Sequence, residues 1–359
     1  MPSQDSNRRD AETPGLSILS SIASSSSDTQ SDIFARPTEF GQYTLLRSIG
    51  KGGYGEVFLA IEQHSWKTIA IKMLKKGRRD DDQVVQRFEQ EIQIGKQLSH
   101  SNILPIIDDG EYQGIRFFVT PYISGLDLLH RLAKEPMHVH GAVEILRDVT
   151  SALGVAHKNG FYHRDIKPEN ILIEERTGKA YIADFGLAKN ARNMGVVSGA
   201  LDVLGTQSYM PPEQVDPNLG EVSAATDVYA LGATLYQMLT GRPPFPRSDH
   251  PGRDMTMQIA WDHPIPPSEL NPQVPSELDR LCLICLEKSP FDRYTTAEAL
   301  EKDLGRFANG RPIEGRLPSR LKRVYRRCQR QPEVVAVVIT LLILMTATGF
   351  IANYFAGEA

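Results

Sequence analysis

Cysteine is scarce in this chain, with three residues among 359. That number is too small and too odd for a disulfide framework, and it suits a reducing compartment. Cys282 and Cys285 lie in Leu281-Cys-Leu-Ile-Cys-Leu286. No second cysteine pair or nearby histidine completes a zinc site there, so helical spacing makes both small core residues. Cys328 stands alone in a basic segment. An excess of positive charge is missing as well: the formal net charge is -4, which argues against a nucleic-acid partner. The N-terminus has no charged-then-apolar stretch of the kind that makes a secretory signal.

What is present falls into three kinds of segment. Residues 1–42 are rich in Ser, Asp, Pro and Gln, with Ser24-Ser25-Ser26-Ser27 at the centre. They bury too little apolar surface to offset their ordering entropy, which predicts a disordered tail. From Tyr43 the pattern predicts strands at Thr44–Ile49, Val57–Ala60, Thr68–Met73, Ile103–Ile107 and Arg116–Val119. Between them Val84, Val85, Phe88 and Ile92 share one helix face. Helical patterns then dominate at 141–157, 223–239, 276–287 and 296–307. A β-rich part followed by a helix-rich part predicts a two-lobed α+β arrangement.

The third kind is the 334–352 stretch, nineteen residues without a charge, long enough to cross a bilayer core. Before it lie Arg316, Arg320, Lys322, Arg323, Arg326, Arg327 and Arg330 with no acidic residue among them; after it only Glu358 is charged. The positive-inside rule then predicts a single-pass protein of the cell membrane. The large N-terminal part is expected in the cytoplasm, 308–333 as a basic linker, and 353–359 as a short outer tail. Such a tail leaves no room for an outer sensor domain.

The chemistry is concentrated in His163-Arg164-Asp165-Ile166-Lys167-Pro168-Glu169-Asn170, followed fourteen residues after that Asn by Asp184-Phe185-Gly186. Phosphoryl transfer needs a carboxylate facing the attacking hydroxyl, an amide and a second carboxylate on metal, and cations on the phosphates. Asp165, Asn170, Asp184 and Lys167 supply that set. The first segment resembles the protein-kinase catalytic loop and the second its metal-binding element.

The resemblance extends from Tyr43 to about Phe307 and looks like a bacterial eukaryotic-like serine/threonine kinase. It implies a bilobal protein-kinase fold, with a first lobe at 43–119, a hinge at 120–125 and a second lobe at 126–307. ATP and Mg2+ are the implied cofactors. Gly50-Lys51-Gly52-Gly53-Tyr54-Gly55-Glu56-Val57 has the G-x-G-x-x-G-x-V spacing; its place between two strands separates it from a dinucleotide-binding turn. Lys72 stands where the family's strand lysine pairs the phosphates with a helix glutamate, although an isolated strand lysine is ordinarily a solvated edge charge. Glu91 is the implied partner. Glu89 is its rival, about 200° away around the helix. Thr120-Pro121-Tyr122-Ile123 resembles the hinge, with Pro121 and Ile123 offering backbone groups to adenine and Asp127 reaching the ribose. Ile49, Val57, Ala70 and Leu172 are implied as apolar nucleotide contacts.

By the same resemblance Asp165 accepts the substrate hydroxyl proton, Lys167 neutralises the transferring group, and Asn170 and Asp184 hold magnesium. Lys167 and Thr206 point to protein substrates with Ser/Thr acceptors. Arg164 awaits a phosphorylated loop, where Ser198 is the one hydroxyl side chain between Gly186 and Gly205 and Lys189 is a second cation. A homodimer for trans-autophosphorylation is compatible with that loop. Glu213 and Arg293 are an implied structural ion pair, and Asp227 braces the catalytic loop. Gly95 departs from the family, which often has a bulky apolar residue there; it predicts a mobile helix that Gly95→Leu would activate. A non-catalytic scaffold and a small-molecule phosphotransferase are the competing readings. Intact Lys72, Glu91, Asp165, Asn170 and Asp184 weigh against the first, Thr206 and Glu213 against the second.

Overall fold

The computed structural model describes residues 33–53, 55–134, 137–185, 189–190, 206–246 and 254–317. Tyr54, Ser198, Cys328 and the 334–352 stretch lie outside them, and for Lys189 and Thr206 only the backbone is described. The chain divides into two compact units, Met1–Ser99 with Leu104–Ser124, and His100–Ile103 with Gly125–Ala359.

Among the described residues the first unit is a six-stranded antiparallel sheet with one α-helix. Its strands are β1 (Ile33–Phe40), β2 (Tyr43–Lys51), β3 (Gly55–Glu62), β4 (Thr68–Leu74), β5 (Asp108–Tyr112) and β6 (Ile115–Pro121), in the order β1-β2-β3-β4-β6-β5. The helix α1 spans Asp82–Gln97, and the Asp81 side chain caps it by accepting from the N–H groups of Gln83 and Val84. Period-two alternation sends successive side chains of β4 and β6 to opposite faces of the sheet. Ile69, Ile71, Met73, Phe117 and Val119 join Phe40, Tyr43 and Leu45 in one apolar cluster. On the other face Leu74 and Phe118 pack with Val84, Phe88 and Ile92 of α1.

Two expectations are corrected in this unit. The stretch Ile33–Phe40, assigned to a disordered tail, is a strand paired with β2. Phe40 explains why: it is buried and meets Tyr112 and Phe117 edge-on, with centroids 4.9 and 5.1 Å away. The strand placed at Ile103–Ile107 is instead Asp108–Tyr112. Pro105 interrupts the apolar run, and the true strand is an edge strand whose polar face needs no apolar alternation.

Gly95 is also corrected. It is buried on α1, and a Cβ there would stand 2.6 Å from Ile106 Cδ1 and 2.9 Å from Cγ1. Glycine costs a helix about 1 kcal/mol against alanine, and here that cost admits Ile106 against the helix. A larger side chain therefore displaces Ile106 instead of bracing the helix.

The second unit holds β7 (Gly125–Asp127), α2 (Leu128–Lys134), α3 (Val139–Lys158), β8 (Phe161–Tyr162), β9 (Ile171–Glu174), β10 (Ala180–Ile182) and β11 (Lys189–Asn190). It continues with α4 (Pro212–Val215), α5 (Ala224–Thr240), α6 (Met255–Trp261), α7 (Pro267–Leu270), α8 (Ser276–Cys285) and α9 (Ala297–Ala308). Strands β7, β9 and β10 form a small sheet, and β11 pairs with β8. Helix α5 is buried along almost its whole length and stops at Gly241, whose φ of 77° suits a left-handed cap. Gly232 lets α5 approach α8, since a Cβ would lie 2.4 Å from Cys285 Cβ. Both Cys282 and Cys285 are buried, and burial pushes their thiols up.

Residues 308–317, expected as the start of a linker, belong to the folded unit. Residues 311–317 fold back on α9, with Ile313 buried. The Asp303 carboxylate accepts from Tyr294 Oη and from the N–H groups of Glu314 and Gly315, each at 2.8 Å. Arg306 Nε donates to Pro312 O at 2.7 Å. Among the described residues no helix is long and apolar enough to cross a membrane.

Gly95→Leu is expected to lower stability by about 1–3 kcal/mol through overpacking, and Gly95→Leu with Ile106→Ala to recover part of the loss. Denaturant melts of the two variants check this, and equal losses would contradict the contact.

Candidate active site

In the first unit the glycine turn joins β2 to β3, and Gly52 N–H donates to Gly55 O at 3.0 Å. Gly55 is buried against β4: a Cβ would meet Met73 O at 3.0 Å and Lys72 Cγ at 3.5 Å. The missing Cβ lets the turn lie close over Lys72 without crowding the Met73 carbonyl. Alternation on β4 puts Lys72 on the face that carries α1, where its Nζ reaches Glu91 Oε1 at 2.7 Å and Oε2 at 2.9 Å. The same ammonium lies 5.6 Å from the Phe118 ring centroid. Glu89, the rival, pairs with Arg116. Ala70 and Thr120 are buried and stand opposite each other across β4 and β6, with Pro121 opposite Ile69. Ile49, Val57 and Ile123 are half-buried.

In the second unit Asp127 ends β7 opposite Leu172. Its carboxylate accepts from His130 N–H at 2.8 Å and lies 2.6 Å from His130 Nδ1. An ionised carboxylate only accepts, so that ring nitrogen carries the proton.

The catalytic-loop candidates are built around Asp227, which α5 carries into the interior with no exposure. Asp227 Oδ2 accepts from His163 N–H at 2.9 Å and Oδ1 from Arg164 N–H at 2.8 Å. His157 Nε2 lies 2.8 Å from Oδ2. Burial opposes the Asp227 carboxylate, but the bond from His157, the nearby imidazoles and the backbone donors outweigh it and hold the carboxyl below its ordinary value. These bonds hold Arg164 at φ 68°, a left-handed conformation that costs a non-glycine residue about 1–2 kcal/mol.

Asp165 emerges from this turn. Its Oδ2 is 2.9 Å from Lys167 Nζ and accepts from Asn170 Nδ2 at 3.1 Å. Asn170 Nδ2 also donates to the Asp165 carbonyl at 2.8 Å. The amide nitrogen is thus committed to Asp165, so Asn170 offers its oxygen outward. Asp184 sits at φ 63° after a strand tied to the loop by Ala183 N–H to Asn170 O at 3.0 Å. Phe185 is buried, its ring 4.7 Å from His163. An amide oxygen and a carboxylate are the hard donors that magnesium takes, so Asn170 and Asp184 fit the metal implied by the sequence.

Arg164 is buried, its Nε has no hydrogen-bond partner among the described residues, and burial lowers its guanidinium below the ordinary value against the pull of Asp227. Glu213 and Arg293 form a fully buried bidentate pair at 2.7 and 2.8 Å. Sequence reading missed two contributors, His157 and Gln214. Gln214 Nε2 donates to Arg164 O at 3.1 Å. His157 follows Val149 and Leu153 at helical spacing on the buried face of α3, and that spacing is the one signal it carries. His140 pairs with Glu144 in the open, and among the described residues no cluster of three or more His, Cys, Asp or Glu side chains could hold a metal.

A proton-accepting carboxylate, cations for phosphate charge and a hard-donor pair make a set suited to phosphoryl transfer. Residues 43–304 match the family described as protein kinase domain. Serine/threonine-protein kinase PrkC of Bacillus subtilis is 36% identical over 269 residues, 74% of this chain and 40% of that protein. Serine/threonine-protein kinase PknB of Mycobacterium tuberculosis is 35% identical over 285 residues, 76% of this chain and 44% of that protein. The crystal structure of the Mycobacterium tuberculosis PknI kinase domain aligns with a TM-score of 0.58 at 26% identity, covering 76% of this chain and 99% of that one. The chain belongs to the protein kinase family, and its two units are the β-rich and helical lobes of that fold. It spans less than half the length of those curated relatives.

Because the Asp227 carboxyl is held down, its stabilisation is present above the unfolded value of about 3.9 and is lost as pH falls through the folded value. Asp227→Asn is expected to lose about 3–5 kcal/mol at neutral pH, since it breaks a buried charged cluster. Denaturant melts should show the gap to wild type narrowing below about pH 4; a gap independent of pH would contradict the assignment.

Proposed function

We propose that the chain is a membrane-anchored serine/threonine protein kinase, transferring the γ-phosphate of ATP to protein Ser/Thr hydroxyls. The observation that carries the reaction is the Asp165 carboxylate, held between Lys167 and Asn170. Those two donors occupy Oδ2 and fix the plane of the carboxylate, which leaves its other oxygen to accept from an incoming hydroxyl. The proton passes from the attacking hydroxyl to that carboxylate. Lys167, beside Oδ2, offsets charge on the group in transfer. Asn170 and Asp184 would hold magnesium, which when bound neutralises the phosphates. Lys72, oriented by Glu91, supplies the cation under the glycine turn. Two relatives called serine/threonine-protein kinases support the Ser/Thr class.

Regulation is read from Arg164, a buried guanidinium whose Nε has no partner among the described residues. A phosphate on Ser198 would give it a charge-assisted partner, with Lys189 as the second cation. Full chain incubated with ATP, magnesium and a Ser/Thr peptide is expected to phosphorylate the peptide and to carry phosphate at Ser198 by mass spectrometry. Asp165→Asn should lose about 10²–10⁴-fold of the transfer rate. A variant as active as wild type would make Asp165 dispensable, and full activity with Ser198 unmodified would remove the regulatory reading.

Membrane anchoring rests on the uncharged 334–352 stretch and the seven basic residues before it. Expressed full chain should sediment with membranes and resist alkaline carbonate, with the kinase domain accessible from the cytoplasmic side. Release by carbonate, or recovery in the supernatant, would count against a span.

A further inference from the structure

Two lysines three residues apart flank the glycine turn. Lys72 meets Gly55 at one end of the turn. Lys75, just beyond β4, reaches the other: its Nζ donates to Gly52 O at 2.6 Å. The root of Lys75 is fixed, because Leu74 before it is buried and its own carbonyl accepts from Arg78 N–H at 3.0 Å. A flexible side chain thus springs from an ordered backbone and bonds to the Gly52–Gly53 pair, which has no side chains of its own to order it.

The bond has a directional consequence. In a planar trans peptide the carbonyl of one residue and the N–H of the next point in opposite directions. With the Gly52 carbonyl drawn to Lys75, the Gly53 N–H points to the opposite side. Around Gly53 a Cβ would meet nothing within 4 Å. Among the described residues that N–H has no hydrogen-bond partner. A donor without a partner, on an exposed residue with room around it, is available to a ligand.

We propose that Lys75 is a positioning residue for the nucleotide phosphates, orienting the Gly52–Gly53 peptide so that the Gly53 N–H is presented as a phosphate donor. The inference rests on the reading of this turn as the ATP-binding turn. Without Lys75 the peptide rotates among several orientations and binding must order it, which weakens affinity for phosphate-bearing ligands. Lys75 acts through the peptide and does not itself have to reach the nucleotide.

Calorimetry on the full chain with ATP and with adenosine tests this. Lys75→Met, which keeps the stem and removes the donor, is expected to weaken ATP about fivefold and leave adenosine unchanged. Lys75→Arg should restore ATP affinity. The ATP loss should persist at about 1 M salt, where the Debye length is about 3 Å. Unchanged ATP affinity, an equal loss for adenosine, or a loss that vanishes at high salt would each overturn the positioning role. Wild type binding adenosine but gaining nothing from the phosphates would remove the reading of the turn and this inference with it.

Discussion

The helical unit turns on one carboxylate. Asp227 is fully buried, and an unpaired charge there would cost several kcal/mol. It is retained because three donors converge on it, two of them consecutive backbone N–H groups at His163 and Arg164. Those two bonds offset the left-handed backbone of Arg164 and so decide where the next residue, Asp165, stands. The geometry of the proposed reacting carboxylate is therefore set by a residue more than sixty positions away in sequence.

The same turn of α5 carries a second anchor. Arg293 donates to both oxygens of Glu213 and to the Ala225 carbonyl, while Thr226 Oγ1 donates to Glu213 at 3.0 Å. Ala225, Thr226 and Asp227 thus join the segment Pro211–Val215, the turn at Arg293 and the catalytic loop at one helix start. An interior this apolar makes each of these bonds strong and makes any omission costly. Gln214, beside Glu213, returns a bond to the Arg164 carbonyl, so the loop is held through its N–H and C=O groups alike.

How much of this was legible in the sequence depended on whether the deciding partner was local. Strands β2, β3 and β4 and the long helices follow from alternation and helical spacing, and their ends fall within a few residues of expectation. Lys72 and Glu91 were placed together by resemblance, and the strand alternation that turns Lys72 toward α1 was visible in Ile69 and Ile71. Most of the misreadings share a cause. Phe40, Gly95 and residues 311–317 each owe their conformation to a contact outside their own segment: Tyr112 and Phe117, Ile106, and Asp303; the Asp108–Tyr112 strand pairs with its hairpin neighbour β6 and was missed because its residues are polar. None of these contacts leaves a periodic trace. His157 was missed for a related reason, since a histidine on a helix face reads the same whether it meets water or a buried carboxylate.

Exposure separates the ion pairs by what they can do. Arg293 and Glu213 have no side-chain exposure at all and fill their bonding capacity on one another and on neighbouring carbonyls. Such a pair cannot exchange partners without breaking a buried network, so it suits a scaffold. Lys72 and Glu91 retain 18% and 9% exposure, and Lys167 and Asp165 retain 16% each. These ammonium groups are buried enough for their charge to be weakly screened, yet open enough to meet an incoming oxygen. A cation that must grip a phosphate and release it requires that intermediate state. The fully buried pair holds the fold still; the slightly exposed pairs leave their charge available for chemistry.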